Sequence, residues 1–424
     1  MTVPALRPMP ASPTTSRAID AQQIVEAAIV RAASEGLNSL TLRDLARAVG
    51  KSTTVIVNLF GAKSGLIQAV GEEALRLDAA FHARFFQAVA GLPVERDNLL
   101  ALIQHYLSLR AGHEAGFVRI WEALLLDAET GPERRDLMAR WDAMRREAWR
   151  NHLAANDRLA EFAAPLVAWL TMEQFYAGAL SRRTDYALIV AEGLGGLVDH
   201  AFGRPDGPAT ATLWRRENLV LPKAPAEGLE PESMRRKLLD IAADQMLAGG
   251  VTAVTNRSVS VVAGTSTSTI AYHWPDMRRF VLDAVWHSVF RDMPRYLAGQ
   301  RPEGDPAAAD LDSWARIMAP TVSIQPQAEG FYVRYARLIA SACIEARRDP
   351  SLQNLVMLLR GPEGGGTYYN SAGVWPAEFA LNRLAATRFA LWIKGSALTA
   401  RATGAPILIT DLQAAALRLV ARCA

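Results

Sequence analysis

Cysteine is nearly absent. The 424 residues hold two, Cys343 and Cys423, too few for a disulfide scaffold or a cysteine-built zinc site. A dominant charge is absent as well: 46 Lys+Arg against 43 Asp+Glu leave a formal net charge of +3. That balance excludes a histone-like basic coat, although not a local nucleic-acid surface. No run of about 18 uncharged apolar residues occurs, so no membrane span is predicted. The most apolar stretch, 163–180, carries Pro165, Glu173 and Gln174. The N-terminus, with Pro4, Pro8, Pro10 and Pro13, lacks the apolar segment of a signal peptide and reads as a flexible arm over 1–19. A cytoplasmic protein is expected.

Enzyme signatures are missing too. His113-Glu114 has no second histidine at zincin spacing, and the seven histidines are dispersed, so no metal or cofactor is expected. Gly364-Gly365-Gly366 has no following Lys-Ser/Thr and reads as a loop. Gly193-Leu194-Gly195-Gly196 lies in an apolar helical stretch, where small residues serve close helix packing. Cys343 reads as a small buried apolar residue. The expectation is a non-enzyme, with an all-α enzyme as the competing class.

Strand signals are scarce, while Ala, Leu, Arg and Glu, which favour helix, dominate between Pro and Gly breaks. With 50% apolar residues the chain can build a large core, and the fold class expected is all-α. From Pro132 onward Leu137, Trp141, Met144 and Ala148 recur at helical spacing. Arg134, Arg135, Arg140, Arg145 and Arg146 read as the solvated face of that helix. Over 204–232 prolines and glycines cluster at mid-chain, the best linker candidate, and Leu213, Trp214, Leu219, Val220 and Leu221 there could pack on a domain surface.

The two sides of that linker repeat each other. At one offset of 214, without gaps, Gly36 meets Gly250, Thr41 meets Thr255 and Arg43 meets Arg257. Gly50 meets Gly264, Ser52 meets Ser266, Thr53 meets Thr267 and Ile56 meets Ile270. The chain therefore reads as two fused copies of one unit of roughly 200 residues. Locally each copy spells three short helices. In the first, Ile24, Ala27, Ala28 and Ile29 form an apolar face that Gly36 ends. Thr41 caps a second helix with Asp44 at N3, Gly50 turns the chain, and Ser52 caps a third that ends near Phe60. A short helix, a tight turn and another short helix form the helix-turn-helix plan.

These residues resemble the tetracycline-repressor (TetR) family of bacterial transcription regulators. In copy one the matches to the family pattern are Thr41, Leu45-Ala46, Gly50, Ser52, Ile56, Phe60 and Lys63. In copy two they are Thr255, Ala263-Gly264, Ser266, Thr269-Ile270, His273 and Trp274, with Pro275 following. Each match covers about 50 residues. The departures are Val57 and Ala271, where the family carries a phosphate-touching Tyr, Leu59 for an aromatic or His, and Met277 where copy one has Lys63.

The resemblance implies DNA contact through the start of the third helix and its basic surroundings. The residues expected there are Thr41, Arg43, Lys51, Ser52, Thr53, Thr54, Asn58 and Lys63, then Thr255, Arg257, Thr265, Ser266, Thr267, Ser268, Tyr272, His273 and Arg278. It also implies a mostly apolar effector pocket and a pairing surface in the helices that follow. Trp121, Trp169, Phe175 and Tyr176, then Phe331, Tyr335 and Trp392, are the expected effector-binding residues. The expected layout is an arm (1–19), a DNA-binding domain (20–75), an effector domain (76–203), the linker (204–232), a second DNA-binding domain (233–290) and a second effector domain (291–424). The partners implied are a double-stranded DNA operator and a small apolar or aromatic effector, with no membrane. The two units would form an intramolecular pseudo-dimer, with further pairing of chains left open. A homodimeric sensor with one DNA-competent copy per chain is the runner-up.

Overall fold

Helix boundaries fall where the capping and turn residues sit. The computed structural model describes residues 13–112, 115–127, 131–292, 310–369, 374–376, 378–379 and 381–420, and among these the chain is helical with no β-strand. His113, Glu114 and Cys423 lie outside the described residues. Helix α1 (Pro13–Glu35) buries Ile24, Val25, Ala28 and Ile29. The expected arm is thus shorter than 1–19: Pro13 opens a helix, where its missing N–H leaves nothing unpaired, and residues 1–12 are outside the described residues. Gly36 follows at φ 92, its N–H donating to the Ala32 carbonyl. Next come α2 (Leu42–Ala48), α3 (Thr53–Phe60) and α4 (Lys63–Gln87). The Asp44 N–H donates to Thr41 Oγ1 (3.1 Å) and the Val55 N–H to Ser52 Oγ (3.3 Å), which caps α2 and α3.

The first half continues with α5 (Arg96–Ala111), α6 (Gly116–Leu126), α7 (Pro132–Leu153), α8 (Asp157–Leu180) and α9 (Thr184–Ala201). The buried stripe of α7 is Leu137, Met138, Trp141, Arg145, Trp149 and Leu153. Arg145 therefore belongs to the inner face, not the solvated one: it lies one turn from both Trp141 and Trp149, and its guanidinium stacks 4.4 Å from the Trp121 ring centroid.

The linker is anchored rather than a free tether. It contains α10 (Thr210–Glu217), whose Ala211 and Thr212 N–H groups donate to the Glu192 carboxylate at 2.7 and 2.8 Å. That carboxylate satisfies orphan donors at a helix start. Asp206 pairs with Arg388 at 2.6 Å. Leu213, Trp214 and Val220 face solvent, and Leu221 packs against the core.

The second half opens on α11 (Met234–Gly249), α12 (Asn256–Ala263), α13 (Thr267–His273) and α14 (Met277–Asp292). The starts of α2 and α12, α3 and α13, and α4 and α14 are each 214 apart. Thr255 and Ser258 form a reciprocal capping box at 3.0 and 2.9 Å. Both modules turn on glycines with positive φ, Gly36 and Gly50 in one, Gly250 and Gly264 in the other. Then follow α15 (Leu311–Met318), α16 (Phe331–Arg348), α17 (Gln353–Arg360), α18 (Gly365–Tyr369), α19 (Arg383–Thr403) and α20 (Ile409–Leu419). Gly365 and Gly366, expected in a loop, start α18.

The most extensive helix contact in the described chain joins the halves, α8 against α19. Gly395 permits it: a Cβ there would press into the backbone carbonyl of Ala168. Gly196 on α9 likewise sits close to Leu384 of α19. Beside this contact the buried Glu173 of α8 pairs with the buried Arg360 of α17 at 3.0 Å, and Tyr176 donates to Glu363, just past α17, at 3.0 Å. One apolar core runs through both halves. No single described helix is long and apolar enough to cross a membrane.

Candidate nucleic-acid interface and the interior behind it

A short helix held by one buried residue presents its other faces outward. On α3 Ile56 is buried, whereas Ser52, Thr53, Thr54, Val57 and Asn58 are exposed. On α13 Ile270 is buried, whereas Ser266, Thr267, Ser268, Ala271 and Tyr272 are exposed, position for position the same pattern 214 residues on. Thr54, Val57 and Asn58 share one helix face by their spacing, as do Ser268, Ala271 and Tyr272. Tyr272 is 85% exposed, far more than an aromatic ring in a folded core requires.

Several of these groups already carry structural duties. The Thr41, Ser52 and Thr255 oxygens cap helices. Thr265 bonds Thr269 and Ser266 bonds Ser268, each at 2.6 Å. Lys51 is tied to Asp20 at 2.8 Å, and Arg278 to Asp349 at 2.5 Å. Arg43, Lys63 and Arg257 are exposed. His273 is half-buried, its ring edge-on to Tyr272 and Trp274. The side chains placed on a common outward face are thus Thr54 and Asn58 in one module, and Ser268 and Tyr272 in the other.

Behind the first module the aromatic residues expected to bind an effector are core. Trp121, Trp169, Phe175 and Tyr176 are buried, Trp121 stacking on Phe175 at 6.1 Å. In the second half Tyr335 and Trp392 are buried and Phe331 is half-buried, with 4.5 Å between the Phe331 and Tyr335 rings.

Sequence reasoning missed a polar network inside this interior. Asp78 and His82 lie one turn apart on α4, Tyr106 and Arg110 one turn apart on α5, and all four are buried. Arg110 pairs with Asp78, Trp141 Nε1 donates to Asp78 at 2.7 Å, and His82 Nε2 lies 3.0 Å from the Tyr106 hydroxyl. Burial works to raise the Asp78 carboxyl, but Arg110 and His82 hold it well below the usual range. Burial likewise opposes ionising Tyr106, yet Arg110, His82 and Arg145 lower its phenol to about 8. Phe81, Phe85, Phe86 and Trp149 pack around the network, so it locks α4 to α5. The i, i+4 polar pairs inside apolar stripes were its signal in the sequence. Arg145 stands beside it with Nε and Nη2 lacking any hydrogen-bond partner. Among the described residues no group of three metal-ligating side chains occurs.

No known protein-family model matches this chain, and no curated protein matches it at a significant level.

Proposed function

We propose that this protein is a ligand-responsive, DNA-binding transcriptional regulator that works as a single-chain pseudo-dimer with a TetR-like plan. The observation that carries the reading is the repeated surface of α3 and α13. Two capped short helices, 214 residues apart, bury one isoleucine each and turn the same positions outward. A helix of that kind enters a major groove with its first turns against base edges and its N-terminus near phosphates. The two exposed faces differ, Thr54, Val57 and Asn58 against Ser268, Ala271 and Tyr272, so the operator is asymmetric. The effector part of the reading rests on the resemblance and on aromatic interiors that contain a few polar groups, Arg145 foremost.

Selection of binding sites from random duplexes tests it. One chain should recover two unlike half-sites whose centres lie about one helical turn or a multiple apart. Asn58→Ala should relax one half-site and Tyr272→Ala the other, each by about 1–3 kcal/mol of discrimination. Lys63→Ala should weaken all sequences and flatten the salt dependence. A palindrome occupied by two chains, insensitive to one of the two substitutions, would favour the homodimer with one working module. No enriched sequence at low salt would refute DNA binding.

A further inference from the structure

Between the halves lies a cleft of about 820 Å³. One wall is the end of α1 with Gly36 and Ser39, and the facing wall is the equivalent end of α11 with Gly250 and Thr252. The floor comes from α6, the end of α8, and α16. That volume falls in the range of small-molecule sites, roughly 300–1,000 Å³.

Its charges do not balance. Glu35 and Asp127 are taken by Arg31 and Arg134, each at 3.0 Å, and these arginines are not part of the lining. Arg337 and Arg348 are taken by Glu329 (2.8 Å) and Glu345 (2.9 Å). That leaves Arg119, Arg182 and Arg347 facing one carboxylate, the buried Glu122. Glu122 is shared, with Arg347 at 2.6 Å and Arg119 at 3.2 Å. Arg347 Nη1 is buried without a hydrogen-bond partner, and Arg182 has no ion-pair partner among the described residues. Both guanidiniums on Glu122 converge on the bare backbone of Gly178. A Cβ there would sit 3.1 Å from Arg347 Nη1 and 3.2 Å from Arg119 Nη1.

We infer that this cleft binds a small organic oxyanion, a carboxylate or phosphate on a compact body, held by Arg119 and Arg347 beside Gly178 and by Arg182. Guanidinium forks match both groups geometrically, and a buried unpaired donor is costly until an acceptor arrives. The inference stands independently of DNA binding. Glu122 is the competitor for the ligand. Burial pushes its carboxyl up to about 7, against Arg119, Gln174 and Arg110. Arg347 and Cys343 of α16 face it as well. Protonated Glu122 releases both guanidiniums, so a fully ionised ligand binds more tightly on the acid side of neutrality. Because the walls belong to both helix-turn-helix modules, an occupant ties them together.

Isothermal titration of the full chain with isophthalate and with phenyl phosphate tests the site, with isophthalamide as the neutral control. The anions should bind and the amide should not, and the tighter of the two identifies the headgroup. Arg182→Gln, an exposed position, and Arg347→Gln should each weaken binding about tenfold or more. Isophthalate should bind more tightly at about pH 6 than at about pH 8, and Glu122→Gln should bind tightly at both. Amide exchange around Gly36 and Gly250 should slow when the anion is bound. The inference is overturned if neither anion binds at about 10 mM, a weak-site limit. Equal binding of isophthalamide, or undiminished binding by the Arg182 variant, would overturn it equally.

Discussion

Gly395→Ala probes the contact between the halves. Gly395 lies mid-way along α19, where that helix crosses α8. A Cβ at this position would overlap the Ala168 carbonyl oxygen, and would lie 2.9 Å from the Ala168 carbonyl carbon and 3.3 Å from the Met172 nitrogen. These are backbone atoms and cannot rotate away, so the helices must part by more than an ångström. Overpacking of this kind costs about 1–3 kcal/mol, and the rigidity of the obstacle favours the upper end. Against it stands the helix propensity of Ala over Gly, about 1 kcal/mol. The net expectation is a loss of about 1–2 kcal/mol. Gly193→Ala on α9 supplies the control, since the nearest atom to its Cβ is Arg360 Nη2 at 3.8 Å, an ordinary contact. It should stabilise by about 0.5–1 kcal/mol. The two variants should therefore differ by about 1.5–3 kcal/mol, which for a chain of 424 residues with one core corresponds to a gap in Tm of about 2–4 °C. Thermal unfolding followed by circular dichroism measures this, with light scattering to confirm an unchanged assembly. Equal shifts in the two variants would refute the α8–α19 crossing as described.

Two further outcomes concern the interior charges. Arg145→Met should be neutral or stabilise by up to about 4 kcal/mol, because the guanidinium is buried without a carboxylate, whereas Asp78→Asn should cost about 3–5 kcal/mol by stranding Arg110; urea unfolding separates them. Stability should also fall in acid through His200. Burial, then Arg388, lowers its folded pKa from 6.5 to about 4, so the unfolded chain takes up a proton that the folded one refuses. The stabilisation is complete above 6.5 and is lost between 6.5 and about 4, worth up to about 3 kcal/mol. Melting curves across that window should show the slope in the parent and lose it in His200→Gln.

What the sequence disclosed was local chemistry. Thr41, Ser52 and Thr255 cap helices because a hydroxyl reaches the N–H three residues on, a relation visible in any stretch of four residues. Gly36, Gly50, Gly250 and Gly264 were legible as turns for the same reason. The fate of the arginines was not. Arg110, Arg145, Arg360 and Arg388 are among the largest fully buried side chains, although composition alone places arginine in water. Arg360 is buried because Glu173, 187 residues away in the chain, meets it. The aromatic residues show the same limit. Periodicity assigns Trp169 or Tyr335 to an inner helix face, but core and pocket wall share that periodicity, and only packing separates them. How the linker is held was not visible in its prolines and glycines, since Asp206 and Glu192 fasten it with carboxylates that composition does not reveal.

The charges where α8 and the linker meet α17 and α19 bear on how the two halves of the chain are joined. In a dimer of identical subunits every contact occurs twice, and the surface must be complementary to itself. Here the facing surfaces are complementary to each other instead. The first half and linker offer Glu173 and Asp206, while the second half offers Arg360 and Arg388 to receive them. Arg383 and Lys394 add to the basic character of α19. Pairing two copies of α8 would bring one Glu173 toward another with no cation to meet either. Pairing two copies of α19 would part each Arg388 from Asp206, its partner in the linker. Stranding a buried charge in this way costs about 3–5 kcal/mol, about a hundredfold to a few thousandfold in association. Like-with-like association is therefore penalised at the same positions that reward the unlike pair, which is how specificity is ordinarily built. The anchored linker then holds the partners at high effective concentration, so the unlike pair forms within the chain before it forms between chains. A joint built from unlike residues in this way is directed rather than self-complementary. It also leaves the two outward helices, α3 and α13, free to differ without loss of the contact that joins them.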